Sequence, residues 1–390
     1  MKHIAILLVL ALLLTGCAAA PAAAADPTVS GDPAQNKYTL AYSLAAVQEG
    51  DGFYCGGYLY SNRLFYYDRQ TGSSGILCSN PECTHDSTDC GGYVENLRGL
   101  AYADGKLYWI ANDPSELTRD TFLWQGDLSG QNRVRLKRLS FDDVLLPYQP
   151  QEFVVHQGKL YIYGQADQIE SGKTQFRRTV LVTGLDDSEN FTTLFEETSS
   201  QYADAALRFV GSTLYLGMER NDGGTSYQIR KLDLTTGDCT EVFQEALPNT
   251  STTAFWVTNQ EEIYLPGCVD GHFLVWRIQD GSKTEAVSFP SSDFCPFVLD
   301  GCAVAISQDA SGKRQAEIRS LSGDLLYEGR LLPDELPGIT GDPNACSYAV
   351  VGGDADKLVL QLIDGTMNNY TVLLDVKNGL APTLLWSSQS

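Results

Sequence analysis

Positive charge is scarce in this sequence of 390 residues. Lysine and arginine together number 27, against 49 aspartate and glutamate residues, so the formal net charge is −22 at pH 7. Because an excess of negative charge repels phosphate backbones, we do not expect nucleic acid to be a partner. The sequence also has no Asp-x-Asp-x-Asp-Gly calcium loop, so the acidic residues predict a solvated surface and no particular cation site.

Motifs that identify common enzymes are absent as well. The sequence has no Gly-x-Ser-x-Gly nucleophile turn, no His-Glu-x-x-His zinc motif and no glycine-rich phosphate loop. The segment Arg220–Tyr227 is weakly similar to the Asp box of sialidases, but it departs from that motif at three positions and is predicted to be a hairpin turn. His156 and His272 fall in different repeats and are predicted to be structural. These observations argue against an enzyme.

Long apolar runs are missing except at the N-terminus. Ile4–Leu14 is an apolar run of 11 residues, which is too short to cross a bilayer as a helix. It follows Lys2 and His3 and ends in Leu14-Thr15-Gly16-Cys17. These four residues resemble the lipobox of bacterial lipoproteins, so residues 1–16 are predicted to be a lipoprotein signal peptide. The alternatives are a cleaved secretory signal with an incidental cysteine and a buried hydrophobic helix.

The lipobox resemblance implies that Cys17 becomes the first residue of the mature chain and carries diacylglycerol. Two acyl chains anchor a protein stably, whereas one does not. We therefore predict a protein that is attached to the cell membrane through this lipid, on the extracytoplasmic face. Residues 17–37 are rich in alanine and proline and show no hydrophobic period, so they are predicted to form a disordered tether.

From Tyr38 onward the residue patterns are typical of β-strands, and one short sequence motif is repeated. In this motif a turn is followed by an apolar residue and then a tyrosine. The tyrosines of the four copies are Tyr108, Tyr161, Tyr215 and Tyr264, and they are 53, 54 and 49 residues apart. A period near 50 in an all-β sequence is typical of β-propeller blades. The repeated Leu-Tyr pairs are predicted to form the core between blades.

A second motif, which is predicted to be a turn, follows the first motif in each repeat. The clearest copies are Asp68–Gly72 and Asp233–Gly237, which both read Asp-x-x-Thr-Gly and lie between two predicted strands. We predict that this turn joins the third and fourth strands of a blade. The whole of 38–390 is then an all-β, single β-propeller domain of about seven four-stranded blades, with six or eight as the alternatives. The repeats begin near Tyr38, Gly91, Pro150, Ala203, Thr252, Ser292 and Ala345.

Cysteine and histidine concentrate in one predicted loop after the first Asp-x-x-Thr-Gly turn. Cys78, Cys83, His85 and Cys90 fall within 13 residues. Three thiolates and one imidazole make a complete tetrahedral zinc site with no open position, so the role predicted for the metal is structural. The alternative is a Cys78–Cys83 or Cys83–Cys90 disulfide, because an exported protein meets an oxidising compartment. The sequence leaves both open.

The same region carries a family resemblance. Phe65-Tyr66-Tyr67-Asp68, the Thr-Gly turn and the Cys/His loop up to Cys90 resemble a pattern in uncharacterised surface lipoproteins of Gram-positive bacteria with a predicted β-propeller domain. The resemblance is close over residues 65–90 and elsewhere rests on the repeat alone. It implies a location and a fold, but no activity and no catalytic residues.

Together these features predict a lipid-anchored β-propeller that serves as a binding module for an unknown protein or glycan ligand. Ligands are expected at one face of the ring, over the central channel. One alternative is a propeller enzyme that acts on glycans or peptides, as a hydrolase or a lyase. Another is a scaffold for a complex in the cell envelope.

Overall fold

A computed structural model of the chain describes residues 28–29, 35, 37–38, 46–56, 62–113, 120–139, 152–170, 173–186, 188–200, 205–220, 226–246 and 255–388. The predicted signal peptide, Cys17 and most of the predicted tether lie outside these residues. In the described ranges no helix is both long enough and apolar enough to cross a membrane.

Within the described ranges, 28 strands form seven four-stranded antiparallel sheets, each made of four consecutive strands. This is the predicted all-β propeller of seven blades, and the alternatives of six and eight blades are wrong. Helix is limited there to two short 3-10 turns, Pro343–Ala345 and Val376–Asn378. The predicted starts of the repeats lie two to nine residues before the first strand of each blade.

The first four blades contain these strands: β1 (Ala46–Glu49), β2 (Gly52–Gly56), β3 (Leu64–Asp68), β4 (Ser73–Ile76); β5 (Leu100–Ala103), β6 (Lys106–Asn112), β7 (Thr121–Gly126), β8 (Val134–Arg138); β9 (Glu152–His156), β10 (Lys159–Glu170), β11 (Lys173–Gly184), β12 (Thr192–Ser199); β13 (Ala205–Val210), β14 (Thr213–Arg220), β15 (Ser226–Asp233), β16 (Cys239–Ala246). The last three contain these: β17 (Trp256–Val257), β18 (Ile263–Val269), β19 (His272–Gln279), β20 (Ser282–Phe289); β21 (Phe297–Leu299), β22 (Cys302–Gln308), β23 (Arg314–Ser320), β24 (Leu325–Arg330); β25 (Ser347–Gly353), β26 (Lys357–Ile363), β27 (Asn369–Asp375), β28 (Ala381–Ser387).

The hydrophobic core is divided among the seams between blades. Seven clusters of buried apolar residues are present in the described chain, and each draws its members from two neighbouring blades. Every blade is therefore apolar on both faces and packs against a neighbour on each side. Burying both faces of a sheet requires apolar side chains at successive positions of a strand, which blurs the usual alternation of apolar and polar residues.

The repeated Leu-Tyr pair is explained by this packing. Successive side chains of a strand point to opposite faces, so the two members of a pair enter different seams. Leu107 lies in the cluster between blades 1 and 2, and Tyr108 lies in the cluster between blades 2 and 3. Leu214 and Tyr215 divide in the same way between the two seams of blade 4. The prediction that these pairs form the core between blades is confirmed.

The Asp-x-x-Thr-Gly turns join the third and fourth strands, as predicted. In blade 4, the Asp233 carboxylate accepts hydrogen bonds from the backbone N–H groups of Thr235 (2.7 Å) and Thr236 (3.0 Å). The turn closes with a hydrogen bond of 2.8 Å from the Gly237 N–H to the Asp233 carbonyl, and Gly237 has a φ of +79°. A positive φ favours glycine, which explains why the turn ends in this residue.

An extra residue enters the fourth strand of six blades, and no sequence pattern predicts it. The ladder between the third and fourth strands shifts register once in each blade except the first, for example between Val180 and Leu181 in blade 3. Such bulges bend the strand and increase its twist. In the first blade β4 is only four residues long, and the chain leaves the sheet into the Cys/His loop.

The two faces of the ring differ in the connections that they carry. Because the strands of each blade are antiparallel and consecutive, the turns from first to second and from third to fourth strand share one face, here called the lower face. The turns from second to third strand and the connections between blades lie on the opposite, upper face. A parallel bridge between Asp300 and Asp354 relates the first strands of blades 6 and 7, which therefore point the same way.

The ring closes by side-chain packing between blades 7 and 1. Blade 1 contains β1 to β4 and blade 7 contains β25 to β28, so no described strand crosses from one end of the chain into the sheet of the other. Trp386 packs on Phe65 with ring centroids 5.8 Å apart, within a cluster that also includes Leu385. Trp386 thus contacts the first blade while it remains in the fourth strand of blade 7.

Four residues of the predicted disordered tether 17–37 belong to the described chain, and they contact the ring. Thr28 and Gln35 are buried, and Gln35 donates a hydrogen bond of 3.0 Å to the carbonyl of Val257 in blade 5. Lys37 forms an ion pair of 2.6 Å with Asp354 in blade 7. At these positions the segment packs on the propeller.

We expect Trp386→Ala to destabilise the fold by about 3–5 kcal/mol, because it removes a large buried side chain from the closing seam. Leu326→Ala is the control, since Leu326 is an exposed apolar residue in the fourth strand of blade 6. Denaturant unfolding followed by tryptophan fluorescence and circular dichroism measures both variants. If Trp386→Ala unfolds within 1 kcal/mol of the unchanged protein (on the order of the effect of a surface substitution), packing of Trp386 does not close the ring.

Candidate metal centre

The Cys/His loop runs from the end of β4 to the start of β5, at the seam between blades 1 and 2. The part of the loop after Cys90 pairs with blade 1. The Leu64 N–H donates to the Gly92 carbonyl and the Val94 N–H donates to the Asn62 carbonyl, both at 2.8 Å. It then reaches blade 2, where the Asn112 N–H donates to the Glu95 carbonyl at 2.9 Å. The loop is thus tied to both blades.

The structure brings together the four residues that the sequence predicts as metal ligands. One ligand atom from each of Cys78, Cys83, His85 and Cys90 lies within 4.8 Å of all the others. Nδ1 of His85 lies 3.3 Å from the sulfur of Cys90, so the imidazole faces the thiols. Cys90 is buried, and the other three are partly buried. All three cysteines have unbonded thiols in the structure.

Two local turns position these side chains. The Cys83 N–H donates to the carbonyl of Asn80 at 3.2 Å, and the Glu82 N–H donates to the Asn80 side chain at 3.0 Å. This turn brings Cys83 back toward Cys78. His85 has a φ of +59°, a left-handed conformation in which histidine is found more often than most residues. The reversal allows the backbone N–H of His85 to contact the sulfur of Cys83 at 3.4 Å.

The thiols of Cys78 and Cys90 differ in their electrostatic environment. Burial raises the pKa of Cys90 to about 11, although the backbone N–H of Gly92 acts in the opposite direction. Burial also acts to raise the pKa of Cys78, but backbone hydrogen bonds from Asn80 and Gly91 outweigh it, so this pKa is lowered. Cys78 therefore ionises more readily, and a cation among the sulfurs would favour the thiolate of Cys90.

The backbone of the loop packs directly on blade 2. A Cβ atom added to Gly91 would lie 1.9 Å from the carbonyl oxygen of Gly130, and one added to Gly130 would lie 2.1 Å from the carbonyl oxygen of Leu77. Arg133 donates a hydrogen bond of 3.1 Å to the carbonyl of Cys90. Sequence reasoning missed these supporting residues, because Gly130 and Arg133 come from a turn of the next blade.

The donor set fits a structural zinc ion in kind and in number. Zinc prefers sulfur and nitrogen donors in fourfold coordination, and Cys₃His is one of its common structural sets. Calcium and magnesium prefer oxygen donors, which these four side chains do not offer. With four protein ligands no coordination position remains for a substrate, so the arrangement supports a structural role.

The other residues that the sequence singled out lie elsewhere. His156 is buried at the seam between blades 3 and 4, where Nε2 lies 2.7 Å from the carbonyl oxygen of Gly211 and the ring lies 4.8 Å from that of Phe209. His272 is exposed at the start of β19. The weak Asp-box similarity spans Arg220–Tyr227, of which residues 221–225 lie outside the described residues.

No protein-family model and no curated protein matches this sequence. Its structure is similar to an acylaminoacyl peptidase of Pyrococcus horikoshii, with a TM-score of 0.51 and 11% identity over 91% of this chain and 53% of the peptidase. An oligogalacturonate lyase in complex with manganese gives a TM-score of 0.50 and 11% identity over 84% of this chain and 85% of the lyase. This chain spans about half the length of the peptidase. At these identities the likeness extends to the fold alone.

We expect Gly91→Ala to displace the loop and destabilise the protein by about 1–3 kcal/mol, because the new methyl group overlaps a backbone oxygen of blade 2. Gly75→Ala in β4 is the control, since a Cβ atom there meets only the ring of Tyr66 at an ordinary 3.6 Å. Thermal unfolding and the rate at which a maleimide labels Cys90 measure the effect. Equal stability and equal labelling of the two variants would contradict the close contact.

Proposed function

We propose that the protein is a lipid-anchored, extracytoplasmic β-propeller that binds a protein or glycan ligand and carries out no reaction. The lipobox-like Leu14-Thr15-Gly16-Cys17 supports the anchor, and the absence of recognised catalytic motifs supports binding without catalysis. The anchor would hold the chain at the cell membrane through diacylglycerol on Cys17. The net charge of −22 supports a ligand other than nucleic acid.

The distribution of exposed apolar side chains is the observation that carries this proposal. Among the described residues, the three most exposed large apolar side chains are Ile169, Met367 and Phe294, at 82%, 70% and 60%. Ile169 lies at the end of the second strand of blade 3, Met367 belongs to a connection between second and third strands, and Phe294 belongs to a connection between blades, so all three lie on the upper face. Binding residues are commonly carried by loops that a rigid scaffold holds on one face, and these side chains are available there for contact with a ligand.

The N-terminal segment contacts the opposite face. Gln35 and Lys37 reach Val257 and Asp354, which end the first strands of blades 5 and 7 on the lower face. A chain anchored through its N-terminus would leave the ring from that face, so the upper face would point away from the membrane. We propose the upper face as the ligand-binding surface.

A combined variant, Ile169→Ser with Phe294→Ser and Met367→Ser, tests the binding face. We expect the unchanged protein to bind members of a glycan or peptide array without converting them, and this variant to lose at least tenfold in affinity. The matched control is Val134→Ser with Leu325→Ser and Leu326→Ser, because these exposed residues lie in fourth strands at the outer rim. Equal binding by the two triple variants would refute the upper face as the binding surface.

The same array separates the rival functions. Release of several equivalents of product per protein would favour a propeller enzyme acting on glycans or peptides, which are classes that include the substrates named for the similar lyase and peptidase. Binding to other proteins of the cell envelope, with no response to glycans or peptides, would favour the scaffold.

Acylation is tested by Cys17→Ala. We expect the variant to incorporate no labelled palmitate and to leave the membrane fraction, because the thiol is the only attachment point for diacylglycerol in a lipobox. Cys239→Ala is the control, since Cys239 is an exposed cysteine at the start of β16. Palmitate incorporated into the Cys17→Ala protein would refute the anchor.

We propose that Cys78, Cys83, His85 and Cys90 hold one structural zinc ion that fixes the loop at the seam between blades 1 and 2. Bound zinc would supply a crosslink between two turns that have little apolar surface of their own. The arrangement of His85 among the thiols supports this reading over a disulfide, which would leave the imidazole without a role.

We expect about one equivalent of zinc per chain by elemental analysis, and a loss of at least tenfold in zinc affinity for His85→Ala. His272→Ala is the control, because this exposed imidazole lies in another blade. Chelation should speed maleimide labelling of the loop cysteines while far-UV circular dichroism stays unchanged, since the seven seams do not include the metal. A Cys78–Cys83 or Cys83–Cys90 bridge found by mass spectrometry, with no metal, would establish the disulfide alternative.

A further inference from the structure

The closing seam carries an element that comes from outside the blades. Blades 7 and 1 come from opposite ends of the chain and share no strand in the described residues. Lys37 and Tyr38, which precede the first blade, lie at this seam and contact both blades. Among the described residues of the N-terminal segment, only these two connect the last blade to the first.

The backbone of blade 7 is shaped to accept these two residues. The N–H of Gly353 donates a hydrogen bond to the carbonyl of Lys37. A Cβ atom added to Gly352 would lie 2.4 Å from the carbonyl carbon and 2.5 Å from the Cα of Tyr38. Gly352 and Gly353 also have φ values of +156° and +151°, which favour glycine. Backbone packed on backbone at this distance requires glycine, and Gly352 provides it.

Polar contacts then join Tyr38 to both blades. Its hydroxyl donates to a carboxylate oxygen of Asp354 in blade 7 at 3.0 Å and lies 2.7 Å from the side-chain oxygen of Gln48 in blade 1. Asp354 also pairs with the ammonium group of Lys37 at 2.6 Å. The ring of Tyr38 meets Phe53 of blade 1 edge to face, with centroids 5.3 Å apart.

Two further described residues of the N-terminal segment contact turns or strand ends of other blades on the lower face. Val29 reaches blade 6, where a Cβ atom on Gly301 would lie 2.8 Å from its side chain, and its carbonyl accepts a hydrogen bond of 3.1 Å from Asn259 of blade 5. Gln35 donates to the carbonyl of Val257, also in blade 5. Described residues of the segment thus contact four consecutive blades, namely 5, 6, 7 and 1.

We infer that Gly352, Gly353 and Asp354, together with Gln48, form a binding site for the chain's own N-terminal segment, which acts as a clasp that closes the ring. The clasp replaces the shared strand that is missing at this seam. Its ligand is a peptide with a lysine followed by a tyrosine: the backbone meets the two glycines, and the two side chains meet the carboxylate. This inference does not depend on acylation or on the identity of any external ligand.

The test separates the segment from the ring after folding. A protease recognition sequence is inserted between Tyr38 and Ala46 in the full chain, the protein is folded, and the insertion is then cut. We expect the N-terminal fragment to remain bound to the ring on size exclusion, and displacement by a synthetic peptide of residues 28–38 to give its dissociation constant. We expect the melting temperature of the ring to fall by several degrees once the fragment is removed.

Variants assign the affinity to the proposed contacts. Tyr38→Phe keeps the aromatic ring and removes only the hydroxyl, and Lys37→Ala removes the ion pair. We expect each to raise the dissociation constant of the cut fragment about tenfold, equivalent to 1.4 kcal/mol. Lys377→Ala is the matched control, because Lys377 pairs with Asp356 at 2.7 Å beside the same turn but does not contact the segment.

The outcomes are distinct. A fragment that leaves the unchanged ring at micromolar concentration, with no shift in the melting temperature, would overturn the clasp. Retention of the fragment with equal affinity in Tyr38→Phe, Lys37→Ala and Lys377→Ala would overturn the site at Asp354. Should Lys37→Ala fail to fold, competition by a peptide of residues 28–38 that carries the same change reports on the same contact with the unchanged ring.

Discussion

Apolar packing between neighbouring blades is the interaction on which the rest of this structure depends. Each blade is a small sheet that buries both of its faces, and each of the seven seams holds its own apolar cluster. At roughly 25 cal/mol for each Å² of apolar surface removed from water, such seams provide most of the free energy of folding. A ring divides this free energy among its seams, so every seam must form, including the one between the two ends of the chain.

The closing seam and the seam between blades 1 and 2 are both stabilised by contacts in addition to their apolar clusters. Trp386 and Phe65 pack at the closing seam, and Lys37 and Tyr38 lie over it. On the other side of blade 1, the Cys/His loop spans to blade 2. Blade 1 has the short fourth strand Ser73–Ile76, in which no residue is fully buried. The clasp and the proposed zinc crosslink therefore support the blade whose own sheet is least complete.

The ring also places the contacts of the N-terminal segment and the most exposed apolar side chains on opposite faces. The lower face carries the contacts of the N-terminal segment, and the upper face carries the most exposed apolar side chains. Antiparallel pairing of consecutive strands produces this separation, because it sends alternate connections to opposite faces. Under the proposed function, loops on the upper face can vary with the ligand while the seams and the lower turns keep the ring intact.

The sequence by itself determined the repeat, a ring of about seven blades and the grouping of the Cys/His loop. A period near 50 and the turns that begin at Asp68 and Asp233 are patterns of residues close together in the sequence. Such patterns can be recognised without knowing the tertiary structure. The supports of the metal centre were decided only by the tertiary structure, because Gly130 and Arg133 reach the loop from another blade. The same reason applies to the clasp: Lys37 and Asp354 are far apart in the chain, and only closure of the ring makes them neighbours.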